Sequence, residues 1–507
     1  MSTKAKNPRT LKKGAKWGIA TIVAAVFGVG VWFSWPKITS AAGNADLVGG
    51  IDNFLGWAPG IAMNGGLQVN KDSRMYKDFD LALEINVLGE VDQQIAALKS
   101  GDVDFIFTTT DISPIVMDEG SDLVQIEAQQ FLEVVDSRGG DVLVVDQSIT
   151  SIEQLRGKKI ACALGWPSNT MLDLILKAGG LTEKDVQIVN FASPIQAKDA
   201  YISKNVDATV VWSPDNFVCM DARPSRELIT TAEMPNTIVD VFVAKKSTLE
   251  KKKDAFMKLA KAWLTANAEV QNQDKYEWAA TEYKKAFQSE DKLNDLIDGL
   301  KSFRFTTYGD NLNFFGLNPE YTGITGSDIY NKMARVYKNG YGNNLKNVAP
   351  WNKASNTSII EGLSGMDDEI HAGEGKFTFT AATEETKTAP AIMTKRMTVN
   401  FAVNSARLAP EEERSIRSFI GSTANEFAGM RIRIEGNTDI TGSRELNIKL
   451  SKERAQAVAD YLISEYRFDP NRFIIVGNGP DKPIASNDTE AGRAKNRRTD
   501  FEFLPAK

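Results

Sequence analysis

Residues 434–462 read IEGNTDITGSRELNIKLSKERAQAVADYL, and this stretch decides how the C-terminal part of the chain folds. Up to Gly436 apolar and polar residues alternate, which is typical of a β-strand with one buried face. A short polar turn follows, and the sequence from about Arg444 to Tyr466 favours one long helix. The stretch therefore predicts a strand, a turn and a helix in direct succession.

One face of this helix combines apolar residues with a charge. The apolar residues that recur there at helical spacing are Leu446, Leu450, Ala457 and Tyr461. Arg454 continues the same line, and a half-buried guanidinium must find an anion because an unpaired charge there costs several kcal/mol. Asp439 in the preceding turn is the nearest candidate, and Asn447 presents an amide on the same face. These groups predict either a structural ion pair or a site for a zwitterion with ammonium and carboxylate groups.

The remaining runs of residues 393–507 complete one small α+β domain. MTVNFAV, FIIV and TDFEF are expected to be strands, the last with Phe501 and Phe503 on one face. A helix is expected to begin at Pro410, because proline is well tolerated in the first turn.

With VNFAVNSARL before it and IIVGNGPDKPIASNDTEAGRAKNRRTDFEF after it, this region resembles an OmpA-like peptidoglycan-binding domain over nearly its whole length. The resemblance implies that Asp439 and Arg454, 15 residues apart, grip the diaminopimelate residue of the cell-wall stem peptide. The supporting contacts that it implies come from Asn404, Thr441 and Asn447. Residues 496–498 match the family's NRR element, expected to be mainly structural, and Asn437 stands where the family often has histidine.

Residues 46–350 alternate short β-rich runs with amphipathic stretches. LVGGID, LALEINVL and VDFIFTT are expected to be strands of one lobe, and DVLVVD, KKIACAL, VQIVNF and DATVVW those of a second. This succession predicts two α/β lobes with parallel sheets. Helices over residues 253–270 and 290–303 are expected to return to the first lobe.

Three segments of this region place a tryptophan one or two positions before a proline where a strand leads into a helix. They are Gly56–Pro59, Gly165–Ser168 and Val211–Pro214. Residues 108–110 are threonines that follow another strand in the same way. Because helix N-termini offer unpaired N–H groups, converging loops of this kind form ligand clefts. Alternatively, the tryptophans are core residues and the prolines only begin helices.

The motifs GWAPGIAMNGGL, AALKSGDVDF, SIEQLRGKKIACALGWPSNTML and ISKNVDATVVWSPD occur in this order. With them, residues 47 to about 345 resemble a type II periplasmic solute-binding protein of the NMT1/sulfonate-nitrate-taurine group, which implies two hinged lobes that close on a small molecule. The residues that the resemblance places near the cleft are Trp57, Thr109, Ser168, Asn169, Trp212 and Asp215. Helix N-termini favour an anion such as a sulfonate, whereas tryptophans with Asp215 or Asp141 suit a cation, so the ligand charge stays open.

Residues 17–35, WGIATIVAAVFGVGVWFSW, contain no charged side chain and come close to the roughly 20 residues of a membrane-spanning helix. Residues 1–16 hold six basic residues and no acid, which predicts a cytoplasmic N-terminus and a periplasmic body. We expect a retained, single-pass inner-membrane anchor. A cleaved signal peptide is the alternative, because small residues follow at 40–42.

Residues 351–392 are rich in Ser, Thr, Ala, Gly and Glu and are expected to form an acidic linker that acts as a tether. FTFT at residues 377–380 is a candidate short strand within it.

The chain of 507 residues has a net charge of -6, one histidine and two cysteines. His371 alone cannot build a Ser-His-Asp triad within a domain or a two-histidine zinc site. We expect no catalytic residue, metal or cofactor, and the acidic body argues against nucleic acid as a partner. Cys162 and Cys219 are either buried thiols or, in an exported body, one disulfide.

These patterns predict an envelope protein that binds a small solute between two lobes and attaches to peptidoglycan. The alternatives are a wall-anchored interaction scaffold and a substrate-binding component that serves a permease. A stator-like subunit is disfavoured because the apolar span carries no acid. An NMT1-like enzyme related to thiamine-pyrimidine synthases is disfavoured because it needs an active-site histidine and a cysteine cluster.

Overall fold

A computed structural model of the chain describes residues 45–89, 91–338, 340, 345–402 and 404–505. The basic tail and the expected membrane helix at residues 17–35 lie outside the described residues. Within the described ranges, no helix combines the length and the apolar character needed to cross a membrane.

The strands of the described ranges are numbered in chain order. They are β1 (Leu47–Ile51), β2 (Leu83–Val87), β3 (Phe105–Thr109), β4 (Ala128–Asp136), β5 (Asp141–Asp146), β6 (Lys159–Cys162), β7 (Gln187–Asn190), β8 (Ala208–Trp212), β9 (Ser225–Thr230), β10 (Val239–Lys245), β11 (Arg304–Phe305), β12 (Met393–Met397), β13 (Arg431–Asn437), β14 (Phe473–Gly479) and β15 (Thr499–Leu504).

The α-helices are numbered in the same way. They are α1 (Ala58–Asn64), α2 (Arg74–Phe79), α3 (Val91–Ser100), α4 (Ser113–Val116), α5 (Asp122–Gln125), α6 (Pro167–Ala178), α7 (Pro194–Ile202), α8 (Asp215–Ala222), α9 (Lys246–Lys251), α10 (Lys253–Gln273), α11 (Tyr276–Phe287), α12 (Leu293–Lys301), α13 (Tyr308–Phe314), α14 (Gly326–Lys338), α15 (Trp351–Ala354), α16 (Glu384–Thr388), α17 (Pro410–Ile416), α18 (Ser422–Glu426), α19 (Arg444–Tyr466) and α20 (Glu490–Asn496).

The first two sheets form two α/β lobes. Their strand orders are β11-β4-β10-β3-β1-β2 in the first lobe and β7-β6-β8-β5-β9 in the second. Both sheets were expected to be parallel, and in this respect the expectation is incomplete. β10 runs antiparallel to β3 and β4, and β5 runs antiparallel to β8 and β9. The chain crosses between the lobes from β4 to β5 and returns from β9 to β10, so each crossing delivers an antiparallel strand.

The long helix α10 packs on the first lobe, as expected from the sequence. Its Trp263 is fully buried against α1, where a Cβ on Gly60 would lie 2.2 Å from the indole Cε2 atom. Only glycine allows the two helices to approach this closely.

The third sheet, of order β12-β15-β13-β14, forms the C-terminal domain with α19 across it. Gly436 of β13 lies directly beneath α19, since a Cβ there would lie 2.1 Å from the Ser451 carbonyl oxygen. The buried face of α19 consists of Ser451, Ala455, Val458, Ala459 and Leu462. The expected apolar stripe was therefore out of phase, and its Leu446 is 69% exposed. The expected strand MTVNFAV, residues 397–403, is also wrong, because the first strand of the domain is Met393–Met397 and residues 398–402 form no strand.

Residues 351–392 do not lie free as a tether. Ile359 and Ile360 are fully buried in the core of the first lobe, and residue 355 bridges to Gln130 of β4. Residues 377–380 form no strand. The later part of the stretch contacts the C-terminal domain, since the Phe379 backbone N–H donates to Asp469 Oδ2 at 2.7 Å and Arg433 Nη1 donates to the Ala389 carbonyl at 3.0 Å.

The C-terminal domain contacts the second lobe at the end of this segment. The backbone N–H of Ile152 donates to the Ile392 carbonyl at 2.8 Å, and Lys332 pairs with Glu426 at 2.8 Å. The apolar cores of the second lobe and the C-terminal domain are continuous. Cys162 and Cys219 are buried free thiols, so the disulfide alternative is not found.

Candidate functional site

A cavity of about 650 Å³ lies between the two lobes. Asp52 lines it just after β1, Thr109 at the end of β3 and Trp212 at the end of β8. The antiparallel strands add two carboxylates, because Asp240 pairs in register with Thr109 and Asp141 with Trp212. The strands that follow the two chain crossings, β5 and β10, thus carry acidic side chains at the edge of each sheet where the parallel strands end.

The charge of this cleft is strongly one-sided. Its carboxylates are Asp52, Asp92, Asp141, Asp215, Asp240 and Asp291. Lys198 is the single basic side chain among the described lining residues, and its Nζ atom lies 3.0 Å from Asp215 Oδ1. The other five carboxylates of the described lining form no ion pair with a basic side chain.

Asp141 is 4% exposed and stands where the chain enters β5. Its Oδ2 atom accepts a hydrogen bond from Ser137 Oγ at 2.5 Å, while Oδ1 has no partner in the described structure. Burial raises the pKa of Asp141 to about 7, and the nearby Asp111 and Asp136 add to the shift. The carboxyl group is therefore poised to exchange its proton for a positive ligand group near neutral pH.

Asp240 and Asp52 approach the cleft from the first lobe. The Asp240 carboxylate is 6% exposed and forms no hydrogen bond or ion pair with any described residue. Burial and the charges of Asp52 and Asp141 raise its pKa well above the usual range. Asp52 accepts a hydrogen bond from Trp57 Nε1 at 2.8 Å, yet burial still raises its pKa.

Aromatic side chains face this acidic edge. Trp166 and Trp212 of the second lobe lie with ring centroids 5.9 Å apart at an angle of 54°, and both line the cavity. Phe54 and Phe107 line it from the first lobe. The cleft therefore combines π faces with unpaired carboxylates.

The structure brings together only some of the cleft residues expected from the sequence. Thr109, Trp212 and Asp215 line the cavity. Trp57 is fully buried in the core of the first lobe and reaches the cleft only through Asp52. The two remaining residues expected there, Ser168 and Asn169, are fully buried in the first turn of α6 and do not line the cavity.

Asp240 was not among the expected site residues. The sequence feature that could have identified it is a single acidic residue within the apolar run TIVDVFVAK of residues 237–245. An acid within a buried strand needs a reason, because its charged form is poorly solvated there.

The C-terminal domain carries a second candidate site, in the turn between β13 and α19. Asp439 Oδ2 accepts a hydrogen bond from Arg497 Nη1 at 2.6 Å, and Oδ1 accepts one from the Thr441 backbone N–H at 2.8 Å. Asn447 Nδ2 donates to the Thr441 carbonyl at 3.0 Å and so fixes the turn. Partial burial alone would raise the pKa of Asp439, but these hydrogen bonds outweigh it and lower the pKa.

Arg454 does not pair with Asp439 in this structure. Its Nε atom donates to the Ser405 carbonyl at 3.0 Å, and its guanidinium lies 4.9 Å above the Phe401 ring centre. It has no ion-pair partner among the described residues, and partial burial lowers its pKa. The neighbouring Asn404 is exposed with a positive φ of 56°. Arg454 therefore offers a half-buried positive charge that a carboxylate ligand can neutralise.

The residues expected in this site form two groups along α19. Asp439, Thr441 and Asn447 meet at its start, and Arg454 meets the loop of Asn404 two turns further on. Seven residues separate Asn447 from Arg454, which corresponds to about 10 Å along a helix.

The NRR element divides into different contacts. Asn496 Oδ1 accepts from the backbone N–H groups of Ile484 and Ala485, and Arg498 pairs with Asp500 at 2.9 Å. Arg497, in contrast, contacts Asp439 directly. The expectation that the element is mainly structural did not include this contact.

No group of three or more His, Cys, Asp or Glu side chains in the described ranges is arranged to hold a metal ion.

Two family models match the chain. The model described as OmpA family matches residues 400–497, and the model described as NMT1/THI5 like matches residues 65–275.

Several curated proteins resemble the C-terminal region. Outer membrane protein A of Bordetella avium is 32% identical over 198 residues, covering 38% of this chain and 95% of that protein. Peptidoglycan-binding protein ArfA of Mycobacterium tuberculosis is 50% identical over 103 residues, covering 20% of this chain and 31% of that protein. The probable lipoprotein YiaD of Escherichia coli is 36% identical over 107 residues, covering 21% of this chain and 48% of that protein. The chain thus spans less than half of the last two relatives.

Two periplasmic binding proteins are among the solved structures with a similar fold. The aliphatic sulphonate binding protein SsuA from Escherichia coli aligns with a TM-score of 0.48 and 17% identity, covering 62% of this chain and 98% of that chain. The nitrate-binding protein NrtA from Synechocystis PCC 6803 aligns with a TM-score of 0.42 and 13% identity, covering 57% of this chain and 85% of that chain.

Proposed function

Because the chain belongs to the OmpA family, we propose that its C-terminal domain attaches it to peptidoglycan by binding diaminopimelate at Asp439 and Arg454. The chain is a binding protein and not an enzyme, with an OmpA domain and an NMT1/THI5-like solute-binding domain. The diaminopimelate ligand itself is our proposal.

One observation carries the proposal: Arg454, a half-buried guanidinium without a carboxylate partner among the described residues, lies two helical turns beyond Asn447. Asn447 in turn bonds the turn that holds Asp439, a carboxylate with a lowered pKa. Within an uncross-linked stem peptide, diaminopimelate keeps one free end, where an ammonium and a carboxylate stand on the same carbon. Asp439 would accept the ammonium, and Arg454 would bind the carboxylate through its planar fork. Thr441, Asn447 and the loop of Asn404 would hold these two groups in place.

Co-sedimentation of the full chain with two kinds of peptidoglycan tests this ligand. Peptidoglycan with diaminopimelate should pellet the protein, and peptidoglycan with lysine at the same position should pellet about tenfold less, because lysine lacks the second carboxylate. Free diaminopimelate should compete with the wall. Equal pelleting by both wall types would contradict the assignment.

We further propose that the cleft between the lobes captures a small solute, with Thr109, Trp212 and Asp215 among its contacts. The size of the cavity, about 650 Å³, supports this role because it falls in the range of small-molecule sites. A thermal-shift screen of the full chain tests it, since a ligand that binds only the folded state must raise the melting temperature.

These two proposed roles indicate where in the cell the protein acts. Both matched domains are of envelope-associated kinds. Residues 17–35 would anchor the chain in the inner membrane with the body in the periplasm, and the wall-bound chain would sense or hold its solute. Service to a neighbouring permease is the alternative role. Protease accessibility of the body in spheroplasts, with the N-terminus protected, would support the anchor.

A further inference from the structure

The cleft has a charge that its solute must complement. Among its described lining residues, six carboxylates face one ammonium group, and that group already pairs with Asp215 at 3.0 Å. An anionic solute would have to approach this excess of negative charge without a free basic partner.

Two of these carboxylates point to a missing partner independently of the total charge. Asp141 Oδ1 is buried and accepts no hydrogen bond in the described structure. Asp240 is 6% exposed and likewise has no partner among the described residues. Buried polar groups are normally satisfied, so an oxygen without a partner in a ligand cavity indicates a donor that the ligand supplies.

The aromatic part of the cleft lining also suits a positively charged group. Trp166 and Trp212 line the second lobe, where Asp141 pairs in register with Trp212. Asp240 and Asp52 belong to the first lobe. Tryptophan faces attract cations through the ring quadrupole. When the lobes hold a solute between them, the carboxylates and the indole rings would act on it from both sides.

We propose that the cleft binds an organic cation, with an ammonium or guanidinium group at Asp141 and Asp240 and its hydrocarbon part against Trp166 and Trp212. The inference rests on the proposed solute-binding role of the cleft and names the class of solute.

The helix N-termini at the cleft do not reverse this choice. Asp215 occupies the first turn of α8 and places a carboxylate where an anion would bind. At α6, the side chains of Ser168 and Asn169 are fully buried and do not line the cavity. A metal ion is a poorer fit, because no metal-holding group of side chains was found in the described ranges.

The electrostatics of the cleft agree with a positive ligand. Burial, together with the charges of Asp52, Asp111, Asp136 and Asp141, raises the pKa of Asp240. At Asp141, burial and the charges of Asp111 and Asp136 also raise the pKa. A cation would relieve the repulsion that these carboxylates exert on one another.

The charge of the solute is tested by measuring the binding of small molecules of different charge to the unmodified full chain at pH 8. The probes are 1,4-diaminobutane, choline and butylguanidine as cations, taurine as a zwitterion, and butanesulfonate and nitrate as anions. At least one cation should raise the melting temperature and bind in calorimetry, with an affinity at least about tenfold above those of taurine and the anions. Binding of sulfonate or taurine in preference to every cation would overturn the inference and leave solute binding intact. Failure of all six probes would overturn both.

Variants then locate the site. Asp240→Asn and Asp141→Asn should each weaken the bound cation by about thirtyfold or more, because each removes one charge from a buried pair. Asp122→Asn is the matched control, since Asp122 is an exposed carboxylate of α5 that pairs with Lys99 away from the cleft. Unchanged affinity in both cleft variants, with folding verified by circular dichroism, would contradict the placement.

Discussion

Arg497 donates from Nη1 to Asp439 Oδ2 at 2.6 Å, so the carboxylate proposed to grip the wall is already engaged by a guanidinium. The same guanidinium also reaches Glu490 Oε1 at 2.6 Å and is 42% exposed. Arg497 therefore keeps Asp439 ionised and oriented by the turn, while the second carboxylate oxygen receives the Thr441 N–H group. An incoming ammonium group would share or replace the Arg497 contact.

Arg497→Ala should raise the pKa of Asp439 toward its usual value. The folded-state pKa is lowered, so this carboxylate contributes stability above its unfolded-state pKa, and the contribution disappears as the pH falls through the folded-state value. Removal of the guanidinium takes away part of that contribution. NMR titration of the Asp439 carboxyl carbon in both proteins measures the change, and an unchanged pKa would show that Arg497 has no such influence.

The unliganded protein should be less stable at pH 8 than at pH 5 because of its cleft. Asp141 has a folded-state pKa of about 7, above the unfolded value of about 3.9. Its protonated form therefore favours folding, and this contribution is lost as the pH rises through about 7. Melting temperatures measured from pH 5 to 8 should fall less in Asp141→Asn than in the unmodified chain. An identical fall in Asp141→Asn would contradict the assignment, and Asp122→Asn serves as the control.

Cation binding in the cleft should strengthen with pH and release protons. Around Asp141 and Asp240 the titratable neighbours are Asp52, Asp111 and Asp136. A cation competes with the protons of these groups, so its affinity should rise between pH 6 and pH 8. Calorimetry with 1,4-diaminobutane in buffers of different ionisation enthalpy counts the released protons. Proton uptake, or affinity independent of pH, would argue against carboxylates as the partners.

Glu374→Ala should lower the free energy of unfolding, because Glu374 pairs with Arg138 in the crossing between the lobes. Arg138 lies in the crossing from β4 to β5 and pairs with Asp136 at 2.8 Å, while its Nη2 atom lies 2.6 Å from Glu374 Oε2. Loss of Glu374 removes one partner of a largely buried guanidinium, at a cost of about 1–3 kcal/mol in unfolding free energy. Urea unfolding measures this loss. Glu369→Ala, an exposed glutamate in the same segment, should change it by less than about 0.5 kcal/mol, and equal effects of the two changes would contradict this role of Glu374.

Most individual elements of the fold follow from local pattern, because alternation and helical spacing are local properties. The helix Arg444–Tyr466 matches its expected bounds, and the expected strands of both lobes are present. The insertion of β10 between β3 and β4 is different, since its pairing joins residues more than a hundred positions apart. The packing of residues 351–392 was missed for a similar reason: its buried Ile359 and Ile360 stand in a polar stretch.

The candidate sites were predictable where one turn or one strand end holds the residues. Thr109, Trp212 and Asp215 line the cleft because each stands at or just beyond the end of its strand. Trp57 has the same local form, but tertiary packing turns its ring into the core. Asp240 lies at the cleft only because the chain crossing places β10 there, and no local sequence pattern reveals that crossing.

Co-sedimentation of the full chain with diaminopimelate-containing peptidoglycan tests the central claim most directly, namely that the chain binds the wall through Asp439 and Arg454 and not through the cleft. Asp439→Ala and Arg454→Ala should each reduce the pelleted fraction at least about tenfold, because each removes one of the two charges that hold the ligand. Asp240→Asn, which changes only the cleft, should pellet like the unmodified protein. Undiminished pelleting of both C-terminal variants, or loss of pelleting in Asp240→Asn, would contradict the account.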